Sequence, residues 1–168
     1  MEMNLSKNLT SSNVAALGHS NEFDGSRLTP HFSLEEMCRS NTARVKGLPN
    51  VPNAEQVKNL QQLCENVLQP LRDHLGKPVV INSGFRSQAV NMAVGGAKNS
   101  QHTKGEAADI KCKDYPYAKM IYAWIMDNLK FDQVILERKG NAVWVHVSYC
   151  ANGENRQQAL TINAKCER

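Results

Sequence analysis

The chain has no apolar run approaching the ~20 residues that a helical membrane span needs, so no span is expected. It also has no CxxC pair. Its five cysteines, Cys38, Cys64, Cys112, Cys150 and Cys166, are odd in number and widely spaced. That pattern argues against a complete disulfide framework and against a thiolate zinc cluster, and it suits a reducing site of synthesis. Neither sign of charge dominates: 20 Lys and Arg against 16 Asp and Glu leave +4 at pH 7, with no aromatic-basic stripe. Nucleic-acid binding is therefore not expected. The opening Met1-Glu-Met-Asn-Leu-Ser-Lys7 lacks the basic and then apolar segments of a secretory signal. The expectation is synthesis in the cytoplasm without a signal peptide, with action in the periplasm or cell wall only after release.

What is present suits one globular domain. The 168 residues are 41% hydrophobic and 21% charged, enough to bury a core without disulfides. Residues 1–28, rich in Ser, Asn and Gly, read as a flexible N-terminal arm without catalytic residues, and 29–168 as the folded domain. Ser33-Leu-Glu-Glu36 is a capping-box pattern opening a short helix through Arg39. Gly47 to Asn53 forms a loop. Asn53 then caps a helix carrying Val57, Leu60, Cys64, Val67, Leu68, Leu71 and Leu75 at helical spacing, which Pro70 should kink or divide. Pro78-Val-Val-Ile81, within Lys77 to Asn82, reads as a buried strand, Gln88 to Ala93 as a short helix, and Glu106 to Ile110 as a second strand. Tyr117 to Leu129 reads as a helix with Pro116 suited to its first turn. Phe131 to Glu137 and Ala142 to Cys150 form a hairpin around Gly140-Asn141, and Ala159 to Asn163 reads as an edge strand. The fold class is α+β: a single domain with N-terminal helices packed on a small, mainly antiparallel sheet that carries a metal site.

The chemistry is concentrated in Ser100-Gln-His-Thr-Lys-Gly-Glu-Ala-Ala-Asp109 and Trp144-Val-His-Val-Ser148. His102, Asp109 and His146 together offer three N/O ligands, the set that catalytic zinc uses while keeping a position open. Strand alternation places Ala107 with Asp109, Trp144 with His146 and Ser148, and Gln133 with Ile135 and Glu137. The hairpin brings Glu137 near His146. Each His taken alone reads more simply as a hydrogen-bonded strand residue, and Asp109 as a backbone acceptor. The same ligands also suit other divalent ions.

Further matches run from about His31 to Asn155: Leu68-Gln-Pro-Leu-Arg72, Ser83-Gly-Phe-Arg-Ser87, Asn91 with Val94-Gly-Gly96, and Phe131-Asp-Gln-Val-Ile-Leu-Glu137. With the two metal segments, they resemble the zinc D-Ala-D-Ala carboxypeptidase family, particularly its small phage and bacterial peptidoglycan-peptidase branch. The resemblance implies that His102, Asp109 and His146 hold Zn2+ and that Arg86 contacts a substrate carboxylate or peptide backbone. Ser100 is expected either to hydrogen-bond substrate or to cap its loop. One departure stands out: many members place the catalytic acid three residues before the second His, where this chain has Val143. Glu137 is the replacement, an arrangement similar to the related Hedgehog signalling domain, and Glu106 is a weaker alternative base.

The expectation is thus a monomeric zinc metallopeptidase that hydrolyses peptidoglycan stem peptides as a carboxypeptidase or as an endopeptidase or endolysin. The competing expectation is a non-catalytic zinc-stabilised module that binds cell-wall peptide or a protein partner.

Overall fold

The computed structural model describes residues 26–164, so most of the expected arm, and Cys166, lie outside the described residues. Arg27–Thr29 (β1) already pairs antiparallel with Phe32–Ser33 (β2), and Leu28 is buried. The described fold therefore takes in the last residues of that segment.

Ser33 caps Leu34–Cys38 (α1), its hydroxyl accepting from the Glu36 N–H. An unanticipated helix follows at Asn41–Lys46 (α2), capped by Ser40 and closed by Gly47 in the left-handed region. Asn53 and Gln56 form the full reciprocal capping box that opens Ala54–Leu63 (α3). The expected disturbance at Pro70 takes the form of a π-helical turn, Cys64–Leu68, running directly into Gln69–Leu75 (α4). Pro70 has no N–H to offer the carbonyl four residues back, and the chain absorbs the lost bond by widening the turn before it. The Gln69 N–H accordingly reaches back to the Cys64 carbonyl.

The strand expected over 78–81 is displaced to Ile81–Ser83 (β3), because Pro78 lacks a donor and only the far end of the segment joins the sheet. Gln88–Ala93 (α5) forms as expected under a Ser87 cap. A 3-10 turn at Gln101–Lys104 leads into Ala107–Lys111 (β4). Tyr115–Asn128 (α6) starts two residues before its expected position because Asp114 caps it, with Pro116 in the first turn. Gln133–Lys139 (β5) and Ala142–Ser148 (β6) form the hairpin, and Gln158–Ala164 (β7) is the outer strand.

The sheet order is β3-β4-β6-β5-β7, antiparallel except that β7 runs parallel to β5. Alternation gives its two faces different jobs. Ala108, Ile110, Val134, Leu136, Val143, Val145 and Val147 join a core with Leu60, Leu63, Val67, Leu68 and Leu71 from α3 to α4 and with Ile121 and Ile125 from α6. The opposite face carries Asp109, Ile135, Glu137, Trp144 and His146, which the register aligns across three strands: Asp109 opposite His146, His146 opposite Ile135, and Trp144 opposite Glu137. The helices thus anchor one side of a sheet whose other side presents the polar residues. No helix among the described residues is long and apolar enough to cross a membrane.

Candidate metal centre

Two positions hold the loops against this face. Gly84 lies so close to the Met37 carbonyl that a Cβ would collide with it, and the next residue, Phe85, donates its N–H to that same carbonyl at 2.7 Å. Gly105 has φ +75° and would drive a Cβ into the Gln56 backbone. Asn50 ties the loop between them, donating to the Cys38 and Phe85 carbonyls and accepting from the Ser87 N–H.

These constraints orient His102. Its Nδ1 lies 2.7 Å from the Gly84 carbonyl oxygen, which can only accept, so Nδ1 carries a proton and Nε2 is the nitrogen turned toward the cluster. The Arg86 N–H returns a bond to the His102 carbonyl at 3.1 Å, so turn and histidine are fastened twice. Nε2 of His102 points at Asp109 Oδ1, 3.3 Å away, while His146 Nδ1 lies 2.9 Å from that same oxygen. One candidate ligand atom from each residue falls within 4.8 Å of the others. The side chains are only 4%, 13% and 12% exposed for His102, Asp109 and His146, so the cluster is shielded but reachable.

The donor set fits a divalent metal: two imidazole nitrogens and one carboxylate oxygen converge, and one histidine is locked in tautomer by a carbonyl behind it. Burial would raise the Asp109 pKa, but the charges and hydrogen bonds of His102 and His146 outweigh it and hold the carboxyl well below its usual range. The ligand oxygen is therefore ionised at neutral pH.

Arg86 occupies the other oxygen. Its Nη2 donates to Asp109 Oδ2 at 2.8 Å and its Nε donates to Ser83 Oγ at 2.8 Å, with Nη1 3.5 Å from Asn91 Oδ1. The sequence resemblance pointed Arg86 at substrate; the structure gives its fork first to the candidate ligand carboxylate. Outer hydrogen bonds of this kind typically carry about 10- to 100-fold in metal affinity. Arg86→Gln is expected to weaken zinc binding by about that factor, measured by competition calorimetry with a chelator. Unchanged affinity would show that Asp109 Oδ2 needs no donor.

Glu137 lies on the same face as His146, one pleat along β5 from Ile135. Burial, then the charge of Asp109, push its carboxyl above the ordinary value of 4.5, against lowering by His146, a Trp144 side-chain hydrogen bond and Arg86. That set of neighbours puts the carboxylate in electrostatic reach of the centre. Val143, three residues before His146, is buried in the core on the opposite face. Glu106 sits outside the cluster, 3.9 Å from the Cys150 thiol. Cys38, Cys64, Cys112 and Cys150 are free thiols.

A cavity of about 570 Å3 opens beside His146, with Ser100, Gln101, Lys104, Asp132, Gln133 and Arg156 in its wall. The Ser100 hydroxyl makes no helix-capping hydrogen bond, so the capping role weighed from sequence is not what it does. A second cavity of about 340 Å3 reaches Arg86. The ion pair of Asp132 with Arg156 had no sequence signal, because Arg156 falls in a segment with no periodicity and meets Asp132 only through the fold.

A family model described as Peptidase M15 matches residues 30–148, which include all three metal-cluster residues, Arg86, Ser100 and Glu137. A stretch of 44 residues is 52% identical to the zinc D-Ala-D-Ala carboxypeptidase of Streptomyces albus G. That stretch is 26% of this chain and 17% of the relative, so the two are aligned over only a small part of either.

Proposed function

The chain belongs to the peptidase M15 family, and on that premise we propose that it is a zinc peptidase hydrolysing peptide bonds in peptidoglycan stem peptides. The observation that carries the reading is the convergence of His102, Asp109 and His146 on one point, with Glu137 on the same sheet face. His102 Nε2, Asp109 Oδ1 and His146 Nδ1 would hold the ion. Bound zinc supplies Lewis-acid polarisation of the scissile carbonyl and makes water a nucleophile near neutral pH.

The remaining steps belong to the chain's own side chains. Glu137 takes a proton from the attacking water and passes it to the leaving amine; its raised pKa brings it closer to the pH at which one group serves as both base and acid. Arg86 keeps Asp109 oriented and offers Nη1 to the substrate backbone. Ser100, at the cavity wall beside His146, offers its hydroxyl to the bound peptide. The name of the Streptomyces relative supports D-Ala-D-Ala ends as the first substrate to try. Action at the cell wall, including an endolysin-type role after release from the cytoplasm, is the finer form of the same reading.

The test is mass spectrometry of purified peptidoglycan after incubation with the zinc-loaded protein. Loss of one terminal alanine identifies a carboxypeptidase, and an internal cut identifies an endopeptidase. Zinc binding with no cleaved product would favour the non-catalytic module instead.

A further inference from the structure

We infer that Arg156 is the carboxylate receptor of the substrate cavity, binding a carboxylate on the peptide residue seated beside His146 and so selecting peptides that carry one. This rests on the peptidase reading of the metal centre.

The guanidinium is held in place from behind. Asp132, whose side chain is 3% exposed, accepts from Arg156 Nε at 2.7 Å and from Nη2 at 2.6 Å, and its Oδ1 also takes the Arg156 backbone N–H at 3.2 Å. Asp132 is itself fixed, since its N–H donates to the Ser148 carbonyl at 2.7 Å at the end of β6. A guanidinium has five N–H donors in one plane, and Asp132 uses the edge formed by Nε and Nη2. The opposite edge, formed by Nη1 and the second Nη2 proton, keeps the parallel spacing that a carboxylate matches. Arg156 is 56% exposed and lines the same cavity as His146, so that edge has access to a ligand.

Arg156 and His146 line one cavity of about 570 Å3, so a peptide whose scissile carbonyl lies at the centre extends toward Arg156 within that cavity. Arg86 is less suited to this task, because its fork already serves Asp109 and Ser83. The cavity also carries Lys104, Glu106 and Glu154, so recognition comes from the local Arg156 fork rather than from a uniformly positive field.

The experiment compares an N-acylated peptide ending in D-Ala-D-Ala with its C-terminal amide, binding each by calorimetry to the zinc-loaded Glu137→Gln protein so that neither is consumed. The acid is expected to bind about 10- to 100-fold more tightly than the amide, the range for a charge-assisted bidentate contact. Adding Asp132→Asn with Arg156→Gln removes both charges together, leaves no unpaired buried carboxylate, and should bring the ratio close to one. Arg156→Lys, which keeps the charge but not the fork, should retain only part of it and serves if the double variant fails to fold. Equal binding of acid and amide, or a ratio that survives loss of Arg156, overturns the inference. Failure of the wild-type protein to cut either peptide would instead overturn the peptidase reading, while the binding ratio still judges Arg156.

Discussion

Replacing His146 with alanine is expected to remove zinc retention and peptidoglycan hydrolysis together. His146 Nδ1 and His102 Nε2 approach the same oxygen of Asp109, so each supplies one third of the compact donor set found among the described residues. The nearest cysteine in sequence, Cys150, lies instead against Gln101 and Glu106. The loss of affinity should exceed the roughly 10- to 100-fold cost of removing an outer hydrogen bond, as in Arg86→Gln. Elemental analysis and a hydrolysis assay on one preparation read both effects. His74→Ala, which removes a ring stacked on Trp124 away from the cluster, is the control and should keep its zinc.

Glu137→Gln should separate what His146→Ala joins. The amide has nearly the same shape and leaves the three ligands intact, so zinc stays bound, while hydrolysis falls by about 10²- to 10⁴-fold with the loss of a positioned acid-base group. The same residue makes a pH prediction. In the metal-free protein its folded pKa is raised above 4.5 by burial and by Asp109. A raised pKa means that the folded state holds the proton more tightly than the unfolded chain. Its favourable contribution is complete below 4.5 and is lost as pH rises through the higher folded value. At neutral pH the ionised carboxylate therefore costs stability, and metal-free Glu137→Gln should melt at a higher temperature than wild type at pH 7. The gap should close below pH 4.5. A variant that is less stable at pH 7 would contradict the proposed setting of Glu137, and one that hydrolyses at the wild-type rate would remove it from the reaction.

Local chemistry made much of this site legible in the sequence. The capping box at Asn53 and Gln56, the Ser33 cap, and the Gly140-Asn141 turn depend on near neighbours, and each formed where the residues indicate. Period-two alternation was enough to put Asp109, His146 and Glu137 on one face once the strands were in register. What stayed hidden depends on distant contacts. The short β1 and β2 strands are too brief to show a period, and α2 rests on Ser40 and Gly47 without an apolar stripe. The widened turn ahead of Pro70 could be expected as a disturbance but not in kind. Arg86 shows the same limit: its motif marks it as important, yet only the fold brings its Nη2 to Asp109 rather than to open solvent.

Once metallated, this cluster is expected to be a hydrolytic centre, and the decisive experiment is product release from purified peptidoglycan by protein stripped with a chelator and then titrated with zinc. The stripped protein should release nothing, and full release should return at one equivalent of zinc per chain. Release that persists without metal, or a fully loaded protein that releases nothing, would show that hydrolysis does not depend on this metal centre.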